Sequence, residues 1–349
     1  MELNNTELLH RVLSGSTEKP FVIAEIGQAH EGSLGQALSY IDAVAEAGAN
    51  AVKFQTHYAD EESSDYDYFR VNVFPQDQNR KDYWKRMEFT LIQWKTLAKR
   101  AKERGLVFLS SPFSNKAVET LEECEVSAWK IASGEILNYP MLDKLLKTNK
   151  PLLISTGMSS WSEIDQLHKY TTGRKRVFFQ CTTEYPSKPQ NIGLNNIEIF
   201  KKKYNDIVVG LSDHSGEIYP SMSAFMLGAR VFEVHVAWSK KMFGPDTQAS
   251  LTFLQLSELV KYLNNQETLI VSPVDKDKMR ENKEELVRLF GRGIYAKRDI
   301  DIGEEIKESD IKYLKPVLGI SASEYKRVIG MVSSKKIRVG EPITKEDIF

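Results

Sequence analysis

The sequence predicts a (β/α)₈ TIM barrel (fold class α/β) followed by a small, mostly β domain. Three observations support this prediction. Eight short apolar runs alternate with helix-like stretches, polar residues collect where the runs end, and the pattern changes beyond about residue 285. A chain of 349 residues is long enough for a barrel of about 250 residues and one further module. Its 41% hydrophobic content can fill a large core.

The eight runs predict the barrel strands, because β-branched segments that are apolar on both faces suit a parallel sheet buried on both sides. A doubly wound open sheet is the structural alternative, although no GxGxxG follows the first run. The runs are FVIAEI (21–26), AVKFQ (51–55), LVFLSS (106–111), AWKIAS (128–133), LLIST (152–156), VFFQC (177–181), IVVGLSD (207–213) and VFEVHV (231–236).

Helices are predicted between these runs. After the first run, apolar residues recur at helical spacing, namely Leu34, Leu38, Ile41 and Ala45. Ser33 is placed as the N-cap and Gly48 ends the segment. Residues 92–105 repeat the pattern and also end in glycine. Strands that alternate with helices indicate βαβ units.

The last 65 or so residues contain an internal repeat. RDIDIGEEIKESDI and KKIRVGEPITKEDI share a charged residue, isoleucines, Gly-Glu and Asp-Ile at the same spacing. The repeat predicts a compact module with glycine turns. We place the boundary in the charged stretch 275–286, which gives domains of residues 1–284 and 285–349. The alternative is that these residues extend the outer helices of the barrel.

Composition excludes several classes of protein. Lys plus Arg (47) balances Asp plus Glu (48), which argues against a nucleic-acid binder and gives no support for a membrane partner. Cys124 and Cys181 are too few for a disulfide scaffold or a four-cysteine zinc site. The sequence shows no signal peptide or membrane span, so we expect a cytoplasmic protein. The first 18 residues are expected either to pack on the bottom of the barrel or to be disordered.

Polar residues follow the strands in succession, at the end where a barrel builds its active site. One such residue is equally well explained as a cap, but eight strands in a row favour a site. The residues are Glu25, Lys53, Gln55, Ser110, Ser111, Lys130, Ser133, Glu135, Ser155, Thr156, Thr182, Thr183, Ser212, Asp213, His214 and His235.

His214 and His235 lie on neighbouring predicted strands. Two imidazoles there can hold a divalent metal such as Mn²⁺, Fe²⁺ or Zn²⁺ and leave positions open for substrate and water. Two unrelated histidines are the alternative. His30 and His57 follow the first two strands, so either is a candidate for the border of the site, whereas His10 and His168 are expected to face solvent.

Lys53 and Lys130 interrupt apolar strands, and lysine is rarely buried without a partner. Two lysines that point into one pocket indicate an anionic ligand such as phosphate or carboxylate. Ion pairs with Glu25 or Glu135 are the alternative, and both explanations can hold together. The residues alone therefore predict a metal-assisted barrel enzyme with an anionic, phosphorylated substrate.

Nine short motifs recur at or just after the predicted strands. They are AEIGQAHEGSLGQA (24–37), AVKFQ (51–55), SSPFS (110–114), WKIASGE (129–135), STGM (155–158), CTTEYP (181–186), GLSDHS (210–215), EVH (233–235) and GPD (244–246). In their order and spacing they resemble the sialic acid synthase (N-acetylneuraminate synthase) family from about residue 20 to the end. The carboxy-terminal repeat resembles its antifreeze-like (SAF) domain.

The resemblance implies a transferase that condenses phosphoenolpyruvate with an N-acetylated hexosamine to a nine-carbon 2-keto acid and releases phosphate. It implies a metal, Mn²⁺ or Mg²⁺, on His214 and His235. It also implies catalytic roles for Glu25, Lys53, Lys130, His214 and His235, and substrate-binding roles for Gln55, Ser133, Glu135, Ser155, Thr183, Tyr185, Ser212, Asp246 and Lys315.

The chain departs from the family pattern on the sugar side. Thr183 replaces an asparagine expected near the sugar, and Lys315 stands where many members carry arginine. The acceptor is therefore either N-acetylmannosamine or a diacetamido-trideoxy hexose. The family also implies a domain-swapped homodimer in which each SAF domain caps the partner's barrel. A metal-dependent barrel hydrolase and a non-catalytic sugar-binding or scaffold protein are the competing functions.

Overall fold

The computed structural model describes residues 3–69 and 76–349. The chain divides into two compact units, Met1–Val271 and Ser272–Phe349. The first unit contains all eight predicted strands, each within two residues of its predicted ends. They are β1 Phe21–Gly27, β2 Ala51–Thr56, β3 Val107–Pro112, β4 Trp129–Ile131, β5 Leu152–Ser155, β6 Arg176–Cys181, β7 Val208–Asp213 and β8 Val231–His235.

The eight strands form one parallel sheet in the order β3-β2-β1-β8-β7-β6-β5-β4. The first and last strands of the chain are paired, because β1 bonds to both β2 and β8. β3 and β4 lie side by side, although no backbone ladder joins them among the described residues. This nearly closed ring confirms the predicted barrel and excludes the doubly wound sheet.

Helices connect the strands. Ser33 caps α2 by accepting the Gln36 N–H at 3.3 Å, and the predicted helix at 92–105 is α5. No helix in residues 3–69 and 76–349 is long and apolar enough to cross a bilayer. The helices are α1 Asn5–Leu13, α2 Leu34–Glu46, α3 Ala59–Glu62, α4 Arg80–Met87, α5 Leu91–Glu103, α6 Asn115–Glu123, α7 Tyr139–Leu146, α8 Trp161–Tyr170, α9 Asn195–Lys203, α10 Tyr219–Met226 and α11 Phe253–Val271.

Helix α1 covers the amino-terminal end of the barrel. Its apolar face is buried against the first residues of several strands, among them Phe21, Ala51 and Val107. The Asn50 amide, just before β2, donates to the Asn5 side chain at 2.9 Å. Helix α1 therefore packs on the barrel, which is the first of the two expectations for this segment.

The second unit is a small β module with a core made mostly of isoleucines. Its elements are α12 Lys276–Glu281, α13 Glu284–Phe290, β9 Gly293–Ala296, β10 Ile311–Leu314 and α14 Tyr325–Val328. The two copies of the sequence repeat pair with each other, because Ile300 and Ile337 exchange both backbone hydrogen bonds at 2.9 Å. Asp310 and Asp347 occupy equivalent places, each accepting the backbone N–H three residues before it.

Candidate active site

A cavity of about 1180 Å³ opens at the carboxyl ends of the barrel strands. All the barrel residues predicted to bind or act on substrate line it: Glu25, Lys53, Gln55, Lys130, Ser133, Glu135, Ser155, Thr183, Tyr185, Ser212, His214, His235 and Asp246. The remaining predicted residue, Lys315, belongs to the second unit, where its ammonium group lies 5.7 Å from the Phe290 ring.

Two lysines and two glutamates form the floor of the cavity, and all four are nearly inaccessible to solvent. Lys53 forms a direct ion pair with Glu25 and lies 3.8 Å from Glu233. Lys130 lies 3.3 Å from Glu233. The arrangement leaves both ammonium groups compensated in the absence of ligand, as buried charges require.

Glu233 is a site residue that the sequence analysis missed. Glu135, one of the two acids considered as ion-pair partners of the lysines, instead accepts the Asn138 amide at 2.8 Å, because it sits in a helical turn beyond the end of β4. Glu233 was detectable as the only charge in the apolar run VFEVHV, two residues before His235 and so on the same face of β8.

Serine hydroxyls complete the polar floor. Lys53 donates to Ser111 Oγ at 3.2 Å, and Lys130 donates to Ser155 Oγ at 2.7 Å. Ser212 donates to Glu233 at 3.0 Å. Hydroxyl and ammonium donors that converge at one place are a suitable environment for a phosphate or carboxylate group.

The charges on the floor depend on burial and on their mutual contacts. Burial raises the pKa of Glu25 to about 7 against the attraction of Lys53, and repulsion by Glu233 adds to the rise. Burial also acts to raise the pKa of Glu233, but Lys130 and Lys53 outweigh it and lower that pKa. Burial lowers the pKa of Lys130. The two ammonium groups therefore face one carboxylate whose charge is favoured, Glu233, and one whose charge burial disfavours, Glu25, and this balance favours the binding of an anion.

The two predicted metal ligands are neutral and face each other. The ring centroids of His214 and His235 are 5.3 Å apart. His214 Nδ1 donates to the Thr182 carbonyl at 2.7 Å, which leaves Nε2 with a lone pair that accepts the Tyr185 hydroxyl at 3.1 Å. Burial lowers the pKa of His214 to about 4 and that of His235 well below its ordinary value.

These imidazoles are suited to hold a divalent metal, since a ligand histidine must be unprotonated and is often oriented by a hydrogen bond from its other nitrogen. Among the residues that the structure describes, no group of three or more His, Cys, Asp or Glu side chains could hold an ion. A metal on His214 and His235 would thus need further ligands from substrate or water.

Thr183 and Asp246 lie at the cavity wall close to these groups. A methyl group built on Gly157 would stand 2.5 Å from Thr183 Oγ1, so that this hydroxyl fills the space over the glycine. A methyl group built on Gly27 would stand 3.6 Å from the Asp246 carboxylate and 3.5 Å from the Gln55 amide nitrogen. Asp246 and Gln55 therefore border the part of the cavity next to Glu25, whose carboxylate lies 3.5 Å from the same built methyl group.

Three other histidines, His30, His57 and His168, differ in whether they line the cavity. His57 lines the cavity, as expected, and has well-defined partners. His30 is fully buried against Phe89 at 4.7 Å between ring centroids and is not part of the cavity lining. His168 is partly exposed and pairs with Asp206 at 2.7 Å.

Fold and site together define a barrel enzyme for an anionic substrate, with a pair of candidate metal ligands beside the anion site. Comparison with known proteins agrees. Residues 40–274 match the NeuB family and residues 291–348 match the SAF domain. The chain therefore belongs to the NeuB family, with an appended SAF domain.

The relatives match between about three quarters and nearly all of the chain. An N,N'-diacetyllegionaminic acid synthase of Campylobacter jejuni is 32% identical over 93% of this chain and 99% of its own. A pseudaminic acid synthase of the same species is 32% identical over 95% and 97%. The human N-acetylneuraminate-9-phosphate synthase is 33% identical over 74% and 73%. The solved N-acetylneuraminic acid synthetase of Leptospira borgpetersenii is 26% identical, with a TM-score of 0.66 over 77% of this chain and 93% of that one.

Proposed function

We propose that this protein condenses phosphoenolpyruvate with an N-acetylated hexosamine to give a nine-carbon 2-keto acid and phosphate. The observation that carries the proposal is the buried floor on which Lys53 and Lys130 meet serine hydroxyls, next to a neutral histidine pair. The relatives named as legionaminic, pseudaminic and N-acetylneuraminate-9-phosphate synthases support the same reaction.

In the proposed mechanism, Lys53, Lys130, Ser133, Ser155 and Ser212 hold the phosphate and carboxylate of phosphoenolpyruvate. C3 forms a bond to the acceptor's aldehyde carbon, and the aldehyde oxygen becomes a hydroxyl. Water adds its oxygen at C2, and the bond from C2 to the phosphate oxygen then breaks. Of the two protons of water, one goes to the new hydroxyl and one leaves with phosphate.

Glu25 is proposed to carry a proton in this sequence. It pairs with β8 opposite His235 and contacts Lys53, so it lies beside both the anion floor and the histidine pair. A carboxyl group with a pKa of about 7 can accept a proton from water and return it at neutral pH. Gln55, Glu135, Tyr185 and Asp246 are proposed to orient the acceptor.

His214 and His235 are proposed to hold a divalent metal. When bound, the metal would polarise the acceptor's carbonyl oxygen. Between the two metals expected, imidazole ligands favour Mn²⁺ over Mg²⁺, which prefers oxygen. Equilibrium dialysis should find Mn²⁺ bound by the wild type and lost in His235→Ala, but retained in His168→Ala, which changes a histidine outside the cavity.

We propose a diacetamido-trideoxy hexose as the acceptor rather than N-acetylmannosamine. Two departures from the family pattern concern residues expected near the sugar: the shorter Thr183 in place of asparagine, and Lys315 in place of arginine. The lysines and serines of the cavity floor, which are proposed to bind phosphoenolpyruvate, are all present. Lysine keeps the positive charge but loses the planar, bidentate donor of arginine. Two of the relatives bear the names of diacetylated-acid synthases, which supports this choice.

The test is phosphate release from phosphoenolpyruvate with N-acetylmannosamine and the two diacetamido hexoses, with Mn²⁺ and with chelator. We expect Mn²⁺-dependent release with a diacetamido hexose and none with phosphoenolpyruvate alone. Efficient turnover of N-acetylmannosamine only would refute the acceptor assignment. Release without acceptor would favour a hydrolase, and no release from folded, metal-loaded protein would favour a non-catalytic sugar-binding protein.

We also propose a homodimer in which Lys315 reaches the acceptor pocket of the partner. Lys315→Met should then raise the KM for the acceptor and leave the KM for phosphoenolpyruvate unchanged, and light scattering should give twice the chain mass. Equal changes in both KM values, or a monomer with full activity, would contradict this. Cytoplasmic location remains part of the proposal, since Cys124 and Cys181 are both free buried thiols.

A further inference from the structure

A chain of four polar side chains leads from the cavity wall to Glu25. His57 follows β2, and its Nδ1 lies 2.6 Å from Glu62 Oε1. Its Nε2 lies 3.3 Å from Gln55 Oε1. The Gln55 amide nitrogen then donates to Glu25 at 2.9 Å. The order of contacts is therefore Glu62–His57–Gln55–Glu25.

The donors and acceptors along this series of side-chain contacts have one consistent assignment. Gln55 Oε1 also accepts from the Gln28 amide at 3.3 Å, so the Gln55 oxygen faces His57 and its nitrogen faces Glu25. His57 Nε2 must therefore carry a proton. Burial lowers the pKa of His57 to about 3 and raises that of Glu62 to about 8. A neutral imidazole with its proton on Nε2 accepts at Nδ1, and a protonated Glu62 is the donor.

The His57 ring is also fixed by its neighbours. It stacks on Trp84 with centroids 3.9 Å apart and an interplanar angle of 13°. On its other face Phe113 lies 4.4 Å away at 16°. Two stacked rings and two hydrogen bonds hold the imidazole in one plane and one orientation, so its Nε2–H points at Gln55.

We propose that His57 and Glu62 are positioning residues that fix the Gln55 amide and, through it, the Glu25 carboxyl group. This proposal rests on the proposed function, because it takes Glu25 to act at the reacting centre. Glu62 sets the tautomer of His57, and the Nε2–H of His57 sets the orientation of the amide. A reversed amide would face the Nε2–H with its own NH₂ group and turn its oxygen to Glu25.

The variant His57→Phe keeps a ring between Trp84 and Phe113 but removes both nitrogens. The matched control is His168→Phe, because His168 also pairs with a carboxylate, Asp206, but lies outside the cavity. We expect kcat to fall about tenfold to a hundredfold in His57→Phe, the usual effect of misplacing a reacting group. The KM for phosphoenolpyruvate should change little, and His168→Phe should resemble the wild type.

A double-mutant cycle separates positioning from a structural effect. Gln55→Met removes the amide through which His57 acts, so His57→Phe should cost nothing further in that background. An equal loss in both backgrounds would overturn the proposal. At Glu62, glutamine retains a donor for Nδ1 and leucine does not. Glu62→Gln should therefore lose less activity than Glu62→Leu, and equal losses would also contradict the proposal.

Nitrogen-15 NMR of labelled histidine tests the same contacts without turnover. We expect an imidazole signal with its proton on Nε2 and slow exchange that is absent in His57→Phe, persists in His168→Phe and shifts in Gln55→Met. A His57 signal with the proton on Nδ1, or no change in Gln55→Met, would overturn the proposal. Because this readout needs no acceptor sugar, a failed condensation assay refutes the proposed function and leaves this result to be judged separately.

Discussion

Glu233→Gln is the substitution that probes the cavity floor most directly. It removes the carboxylate 3.3 Å from Lys130 and 3.8 Å from Lys53 and leaves the volume unchanged. At an effective dielectric of about 20, these attractions amount to about 5 and about 4 kcal/mol. Burying the carboxylate costs several kcal/mol, which offsets part of these attractions. Removing one partner from a buried ion pair generally lowers the free energy of unfolding by about 3–5 kcal/mol. We expect a loss of about 3 kcal/mol in the free energy of unfolding.

The pH dependence of this loss has a definite sign. Burial already lowers the pKa of Lys130, and losing Glu233 lowers it further. The unfolded chain then binds more protons than the folded one, so the free energy of unfolding rises with pH. The deficit of Glu233→Gln should therefore shrink as pH rises towards the ordinary lysine pKa of about 10.4. Inorganic phosphate, which replaces the missing negative charge, should stabilise the variant more than the wild type.

Urea unfolding followed by tryptophan fluorescence measures this effect in the barrel, because all five tryptophans lie in Met1–Val271. Glu135→Gln is the matched control, since it removes a carboxylate from the same cavity that contacts Asn138 rather than a lysine. A Glu233→Gln protein within about 0.5 kcal/mol of the wild type, or a deficit that is constant with pH, would refute the reasoning.

Three further predictions test other parts of the structure. Gly157→Ala should lower the free energy of unfolding by about 1–3 kcal/mol and raise the KM for the acceptor, because the new methyl group would lie 2.5 Å from Thr183 Oγ1. Gly134→Ala is the control and should change neither quantity, because its methyl group would lie 3.5 Å from the nearest atom. Burial raises the pKa of Asp213 from 3.8 to about 6, so its contribution to stability is present at low pH and lost as pH rises through 6. Asp213→Asn should then be more stable than the wild type above about pH 6, by up to about 3 kcal/mol, with the difference closing towards about pH 4 in urea unfolding. Each of Asp310→Ala and Asp347→Ala should lower the free energy of unfolding of the second unit by about 1 kcal/mol. The readout is faster hydrogen exchange at the Ile300 and Ile337 amides. Unequal effects of the two substitutions would contradict the equivalence of the two repeats.

The barrel strands could be predicted because each carries an apolar signal of its own. A strand buried on both faces must be apolar throughout, and the polar residues at its carboxyl end mark where that burial stops. The role of α1 could not be predicted in this way. Its amphipathic pattern indicates a helix but not the surface that the helix covers, which is set by distant residues such as Phe21 and Val107.

The candidate site was predicted as a set of residues but not as a set of contacts. Glu25 and Glu135 were the acidic partners considered for Lys53 and Lys130, and Glu25 does pair with Lys53, but Lys130 pairs with neither. The partner is Glu233, because ring closure brings β8 across the barrel interior from β4, a relation that spacing along the chain does not contain. The links from His57 to Glu62 and Gln55 depend on side-chain orientation, which the spacing alone does not fix.

The most direct test of the proposed condensation is mass spectrometry of the products together with phosphate quantification. Purified, Mn²⁺-loaded protein would be given phosphoenolpyruvate and a diacetamido hexose, with Lys130→Met and His168→Phe tested in parallel. We predict equal amounts of phosphate and of a nine-carbon 2-keto acid from the wild type and from His168→Phe, and neither from Lys130→Met. Phosphate without the keto acid, or the same products from Lys130→Met, would contradict the account.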